Sequence, residues 1–174
     1  MKLTLPLGLM VLAVTPALRS ATPPETRLAE LGLTLPAGPA PIANYVPAVR
    51  AGHLIFLSGQ IPKKPDGTFV TGKVGRDLTV PEAAAAARQC AIQLLAVLKH
   101  EIGDLGKVKR IVRVAGYVNA TPDFTQQSQV VNGASDLLVA VFGEPGRHAR
   151  AAVGVASLPA GVPVEVEMIA EVAD

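Results

Sequence analysis

The sequence predicts an α+β domain: a mostly antiparallel sheet carrying two helices on one face. Three observations carry that expectation. The run from Val164 to Val172 alternates with period two. Glu165, Glu167 and Glu171 point one way, and Val164, Val166, Met168, Ala170 and Val172 the other, the pattern of a half-buried strand. Between Thr79 and about Ile102, Ala84, Ala87, Ala91, Leu94, Leu95 and Leu98 recur at helical spacing. The remaining strand-like and helical stretches follow in the order β-β-(β)-α-β-α-β-β, each bounded by glycine, proline or a capping residue.

Taken in order, Thr22–Leu33 reads as a short helix, with Thr22 as cap, Pro23 and Pro24 in the first turn and Gly32 as the stop. Pro36–Pro41 is an extended linker. Tyr45–Arg50 and Leu54–Gly59 are strands joined by a hairpin at Ala51-Gly52-His53. Lys63-Lys64-Pro65-Asp66-Gly67 is a polar turn before a possible short strand at Phe69-Val70, and Gly72–Asp77 is loop. Thr79-Val80-Pro81-Glu82 is a capping box opening the long helix, which Gly103 ends. Lys107–Asn119 is a strand whose Lys107, Lys109, Arg110 and Arg113 read as solvent-facing. Thr121-Pro122-Asp123 caps a second helix ending near Phe142-Gly143. Two strands then flank the Leu158–Pro163 connection, whose prolines and glycine are turn chemistry, and are expected to pair as a hairpin.

Composition limits what this domain does. The chain has 174 residues, 49% hydrophobic but only 3% aromatic, so Ala, Val, Leu and Ile must build the core. A formal charge of +2 gives no case for nucleic acid. The single Cys90 excludes an internal disulfide and reads as a small buried residue beside the helix stripe. His53, His100 and His148 lack metal-ligand spacing, and no metal site is expected. There are no repeats, phosphate-binding glycine loops or recognisable Ser/His/Asp arrangements. Two helices cover one sheet face; the other is left bare and apolar, which predicts self-association.

Residues 1–21 stand apart from a single domain over residues 22–174. Lys2, an apolar run from Leu3 to Val14 and small residues after it resemble a secretory leader, although Pro6 interrupts the run and Arg19 sits in the cleavage region. The other reading is an unused extension upstream of the true start. The first places the protein in the periplasm or outside the cell, the second in the cytoplasm; no membrane association of the mature form is expected.

The most unusual residue is Arg150, a long cation at the entrance to a strand of alanine, valine and glycine. A guanidinium suits planar carboxylate recognition through two parallel hydrogen bonds. On pattern alone a solvated strand end is the better reading of Arg150, and a wet hairpin face that of Glu165 and Glu167, where ion pairs contribute only about 0–1 kcal/mol.

The residues that carry more than pattern are Tyr45 with Ala48-Val49, Leu57-Ser58-Gly59-Gln60-Ile61-Pro62, Asp123-Phe124 with Val131-Asn132, then Arg150, Ser157-Leu158-Pro159 and Val164-Glu165-Val166-Glu167-Met168-Ile169-Ala170. Together these resemble the Rid family of reactive intermediate deaminases, also called YjgF-like or L-PSP-like proteins, over roughly Thr22 to Asp174. Leu31-Gly32-Leu33 before the Pro-rich segment is similar to a branch with a longer N-terminal part. The resemblance implies a chorismate-mutase-like α+β fold of the bacillus type and a homotrimer with sites between subunits. It implies hydrolysis of 2-imino acids to 2-keto acids and ammonia, without metal or cofactor. It assigns Arg150 to the substrate carboxylate and Glu165 to proton handling. Tyr45, from the neighbouring subunit, would line the pocket with Ser58, Gly59 and Asn132. Many members carry cysteine where this chain has Ala152, which removes thiol chemistry and widens the pocket. Imine hydrolysis needs no thiol, because water is the nucleophile and the protein positions it and moves protons. The alternatives are a non-catalytic trimeric module that binds a small carboxylate or a protein, and an endoribonuclease. Low charge and few aromatics weigh against the last.

Overall fold

The strictly alternating run is the hub of the sheet. In the computed structural model, which describes residues 22–37, 44–64 and 66–174, eight principal elements follow one another. They are α1 (Pro24–Glu30), β1 (Ala48–Ala51), β2 (Leu54–Gln60), α2 (Val80–Ile102), β3 (Val108–Asn119), α3 (Gln127–Phe142), β4 (Ala149–Val155) and β5 (Val164–Val172). The strand order is β1-β2-β5-β3-β4. β5 therefore lies at the centre, and Val164, Val166, Met168, Ala170 and Val172 are all buried, with α2 packed over this strand. Every neighbouring pair is antiparallel except β3 and β4, which run parallel because α3 is the crossover between them.

That topology corrects the expected hairpin. β4 and β5 flank the Leu158–Pro163 connection but do not pair; β3 lies between them. The connection steps over the end of β3 and is fastened there. The Asn119 N–H donates to the Pro163 carbonyl (2.9 Å) and its side-chain Nδ2 to the Val162 carbonyl (3.1 Å). Gly161, at φ 68°, makes the reversal.

The long helix starts as its capping box requires: the Glu82 carboxylate accepts from the Thr79 N–H (2.8 Å) and hydroxyl (2.7 Å). These bonds hold its pKa below the usual value. Cys90 is buried, burial pushes its thiol pKa up, and its Sγ sits 3.7 Å from the Val164 carbonyl oxygen, consistent with a packing role. α2 and α3 cross closely at Gly133, where a Cβ would meet the Ala84 carbonyl carbon at 2.7 Å.

Two helix starts differ from expectation. α1 begins at Pro24 with Pro23 as its N-cap and no side-chain cap, so Thr22 does not cap it. Thr121-Pro122-Asp123 does not cap α3; it forms a turn closed by the Phe124 N–H on the Thr121 carbonyl (3.1 Å), and the helix starts at Gln127. The first strand is also shorter, because Tyr45–Pro47 precede it. The polar turn holds, with Asp66 Oδ1 accepting from the Thr68 N–H (2.9 Å) and hydroxyl (2.7 Å); Pro65 lies outside the described residues. So do the leader-like residues 1–21 and residues 38–41 of the expected linker. No helix among the described residues is long and apolar enough to cross a membrane.

The sheet face away from the helices is bare in the single chain. Phe56 (43% exposed), Val49 (53%) and Val153 (45%) lie on it, flanked by the basic residues of β3 and the glutamates of β5. Three large apolar side chains left half in water on one face form the kind of patch that marks a contact surface.

Candidate functional site

The predicted site residues fall into two groups. The first surrounds Arg150. In register, Arg150 sits opposite Val114 of β3, whose side chain is buried under the helices, so Arg150 lies on the helix-covered face at the sheet's edge. There its Nη1 donates to Asn132 Oδ1 (2.8 Å) and Ser135 Oγ (3.1 Å), both on α3. Among the described residues no carboxylate lies within ion-pair distance of this exposed guanidinium. Ala152 follows two residues on, on the same face and half-buried against the core. Asn132 and Arg150, widely separated in sequence, are thus brought into direct contact.

The second group gathers where β2 meets β5. The ladder slips between Leu57 and Gln60, a bulge that places Gly59 beside Glu165. A Cβ on Gly59 would overlap the Glu165 carboxylate, which occupies the space the missing side chain leaves. Burial, and then the charge of Glu167, push the Glu165 pKa up from its ordinary value. Glu167 is held apart by Tyr117, whose hydroxyl donates to it (3.0 Å), and by Arg113 (3.3 Å). The Ser58 hydroxyl donates to the Val46 carbonyl (2.8 Å) and its N–H to the Pro47 carbonyl (2.9 Å). Those bonds tie down the segment that carries the exposed Tyr45.

One chain does not unite the two groups. Glu165 alternates with the buried valines of β5 and so faces the bare side of the sheet, opposite to Arg150. Arg150 pairs with Val114 and Glu165 with Tyr117, on either side of β3. Two strand spacings across and three residues along put their Cα atoms roughly 14 Å apart. The sequence left their relation to the register of a β4–β5 hairpin; that hairpin does not form, because β3 lies between the two strands.

Sequence reasoning missed Ser135 and His148. The His148 ring bridges Ser135 Oγ (Nε2, 3.0 Å) and the Gly146 carbonyl (Nδ1, 2.7 Å). Burial first, and the Arg150 charge as well, lower its pKa, against the opposing pull of the Gly146 bond. The nearest sequence signal was His148 standing two residues before Arg150, but its serine partner lies on another element.

The stretch that resembles known proteins spans both groups of residues. A family described as YjgF/chorismate_mutase-like, putative endoribonuclease, matches residues 25–172. Protein TCP17 of Trypanosoma cruzi is 52% identical over 145 residues, 83% of this chain and 91% of that protein. The 2-iminobutanoate/2-iminopropanoate deaminase of Escherichia coli strain K12 is 37% identical over 132 residues, 76% of this chain and 90% of that protein. The crystal structure of Atu1372 from Agrobacterium tumefaciens, a protein of unknown function, superposes with a TM-score of 0.80 at 49% identity, covering 86% of this chain and 94% of that one. The matched stretch runs from the second residue of α1 through the end of β5, so every strand of the sheet lies within it, and this chain belongs to the YjgF/chorismate-mutase-like family.

Proposed function

We propose that this protein hydrolyses small 2-imino acids to 2-keto acids and ammonia, acting as a homotrimer whose sites form between protomers. The observation that carries the reading is Arg150: an exposed guanidinium anchored on α3 by Asn132 and Ser135, with no carboxylate of its own among the described residues. Such a group is prepared for a ligand carboxylate. The name of the Escherichia coli relative, at 37% identity, supports the same substrate class.

In this mechanism Arg150 holds the carboxylate while water adds to the carbon of the protonated imine. Glu165 takes the proton that the water gives up and returns it to nitrogen. The C–N bond then breaks with its electron pair on departing ammonia, and the remaining hydroxyl proton is lost as the keto group forms. A carboxylate whose pKa burial has raised is a stronger base than a solvated one and can still return the proton, which suits this exchange. Tyr45 and Ser58 would reach the ligand from the second protomer, together with Glu165 and Gly59. A trimer would also cover Phe56, Val49 and Val153. Ala152 favours a second reading, in which the same cleft binds a keto acid without turnover.

Steady-state hydrolysis of 2-iminopropanoate and 2-iminobutanoate generated in situ decides between them. Arg150→Ala is expected to lower kcat/KM by roughly 30- to 1,000-fold, the loss of about 2–4 kcal/mol from a paired, charge-assisted contact. Arg150→Lys keeps the charge but not the fork and should stay impaired. Wild-type turnover that survives Arg150→Ala places the chemistry elsewhere. Saturable keto-acid binding without turnover establishes the binding module.

A further inference from the structure

Behind Arg150 stands a chain of hydrogen bonds whose direction can be worked out atom by atom. His148 Nδ1 lies 2.7 Å from the Gly146 carbonyl oxygen, and a carbonyl only accepts, so Nδ1 carries the ring proton. In the neutral ring Nε2 is then an acceptor, and the Ser135 hydroxyl, 3.0 Å away, donates to it. With its proton committed, Ser135 Oγ turns a lone pair to Arg150 Nη1 at 3.1 Å. Asn132 Oδ1 takes the other Nη1 hydrogen at 2.8 Å. Both hydrogens of Nη1 are now used, whereas Nε and Nη2 have no protein acceptor among the described residues. The free donors are those of the side-on edge, the edge that makes two parallel bonds to a carboxylate. The far end of the chain is firm. Gly146 is buried, and a Cβ there would meet the Leu138 carbonyl carbon at 2.8 Å and Val139 Cα at 2.9 Å, so its carbonyl is pinned against α3.

We infer that Ser135 and His148 are positioning residues: the path from the Gly146 carbonyl through His148 and Ser135 occupies Nη1 of Arg150 and so presents its Nε–Nη2 edge to the ligand carboxylate. This rests on the reading of Arg150 as a carboxylate clamp. Neither residue touches substrate. Removing the Ser135 hydroxyl leaves one Nη1 hydrogen without its acceptor, so the planar guanidinium can turn and offer its Nη1 edge to the carboxylate instead. Removing the His148 ring leaves the Ser135 hydroxyl without its acceptor, so that its proton is free to turn toward Arg150. Both changes loosen the clamp without altering proton transfer at the imine carbon.

The test is a double-mutant cycle read by calorimetric binding of 2-oxobutanoate and by imine turnover. Ser135→Ala and His148→Ala should each weaken the Kd about three- to ten-fold, the scale of one net hydrogen bond, and raise KM in parallel while kcat changes less than about two-fold. Ser135→Thr keeps the hydroxyl, and His148→Gln keeps an acceptor for it; both should recover most of the affinity. In an Arg150→Ala background neither substitution should weaken binding further. Unchanged affinity in both alanine variants, with Arg150→Ala disabled, overturns the relay and leaves the clamp standing. A loss that persists in the Arg150→Ala background also overturns it, since the effect would then not pass through the guanidinium. Full affinity in Arg150→Ala overturns the clamp and the relay together.

Discussion

Gly59→Ala isolates the placement of Glu165 from its identity. Gly59 does not occupy the left-handed region, so alanine is compatible with its backbone. The new Cβ would overlap the Glu165 carboxylate, with Cδ at 2.9 Å and Cγ at 3.1 Å, whereas ordinary contact begins near 3.4 Å. The side chain must therefore swing aside, carrying its oxygens by about 1 Å or more. A misplacement of that size is worth up to about 100-fold in rate. Stability should change little. Glu165 is only half-buried and free to move toward the bare face, and the strain is offset by about 0.4–1 kcal/mol from a less flexible unfolded chain. The expected result is a kcat about 10- to 100-fold below wild type in the imine assay, with the melting temperature within a few degrees. In a Glu165→Ala background the space is vacant, and alanine at 59 should cost nothing more. Wild-type kcat in Gly59→Ala, or an equal loss in both backgrounds, would refute the idea that the glycine exists to seat this carboxylate.

Two further outcomes follow from the fold. Gly133→Ala presses a methyl group on the Ala84 backbone, which cannot yield as a side chain would, so thermal unfolding should show a loss of about 1–3 kcal/mol. Glu165→Gln should raise the melting temperature at pH 7. The folded-state pKa of Glu165 is raised, so its carboxyl favours the fold below the unfolded value of 4.5, and that advantage is lost as pH rises through the folded value. Glutamine escapes the loss, and the gap between the two proteins should close as pH drops below 4.5. A wild type more stable than Glu165→Gln at neutral pH would contradict this.

Local signals were legible and partner choice was not. The alternation of β5 and the capping box of α2 depend on residues a few positions apart, and both elements stand where the sequence put them. The pairing of β4 with β3 and not with β5 depends on a strand nearly thirty residues upstream, and turn chemistry between Leu158 and Pro163 holds no information about it. The same non-locality hid the relay. Ser135 on α3 and His148 at the mouth of β4 are thirteen positions apart and meet only after the crossover closes. At Thr121–Asp123 a good capping signal lost to a turn: the Phe124 N–H donates to the Thr121 carbonyl, and the Gln127 side chain to the Phe124 carbonyl, before the helix begins.

The division of site residues between two faces of one sheet sets a condition on any mechanism that uses both. No rotamer carries Arg150 and Glu165 to a common small ligand, with β3 between them and α3 over only one. If both act on one substrate, each site must take its arginine from one protomer and its glutamate from another. Co-expressing Arg150→Ala and Glu165→Gln chains in equal amounts tests that condition. In randomly assembled rings a working site needs its arginine from a Glu165→Gln chain and its glutamate from an Arg150→Ala chain, so about one site in four is intact. Mixed oligomers should recover about a quarter of wild-type turnover from two nearly inactive parents. Sites built within one chain would recover nothing, since every chain then carries a defect in its own site.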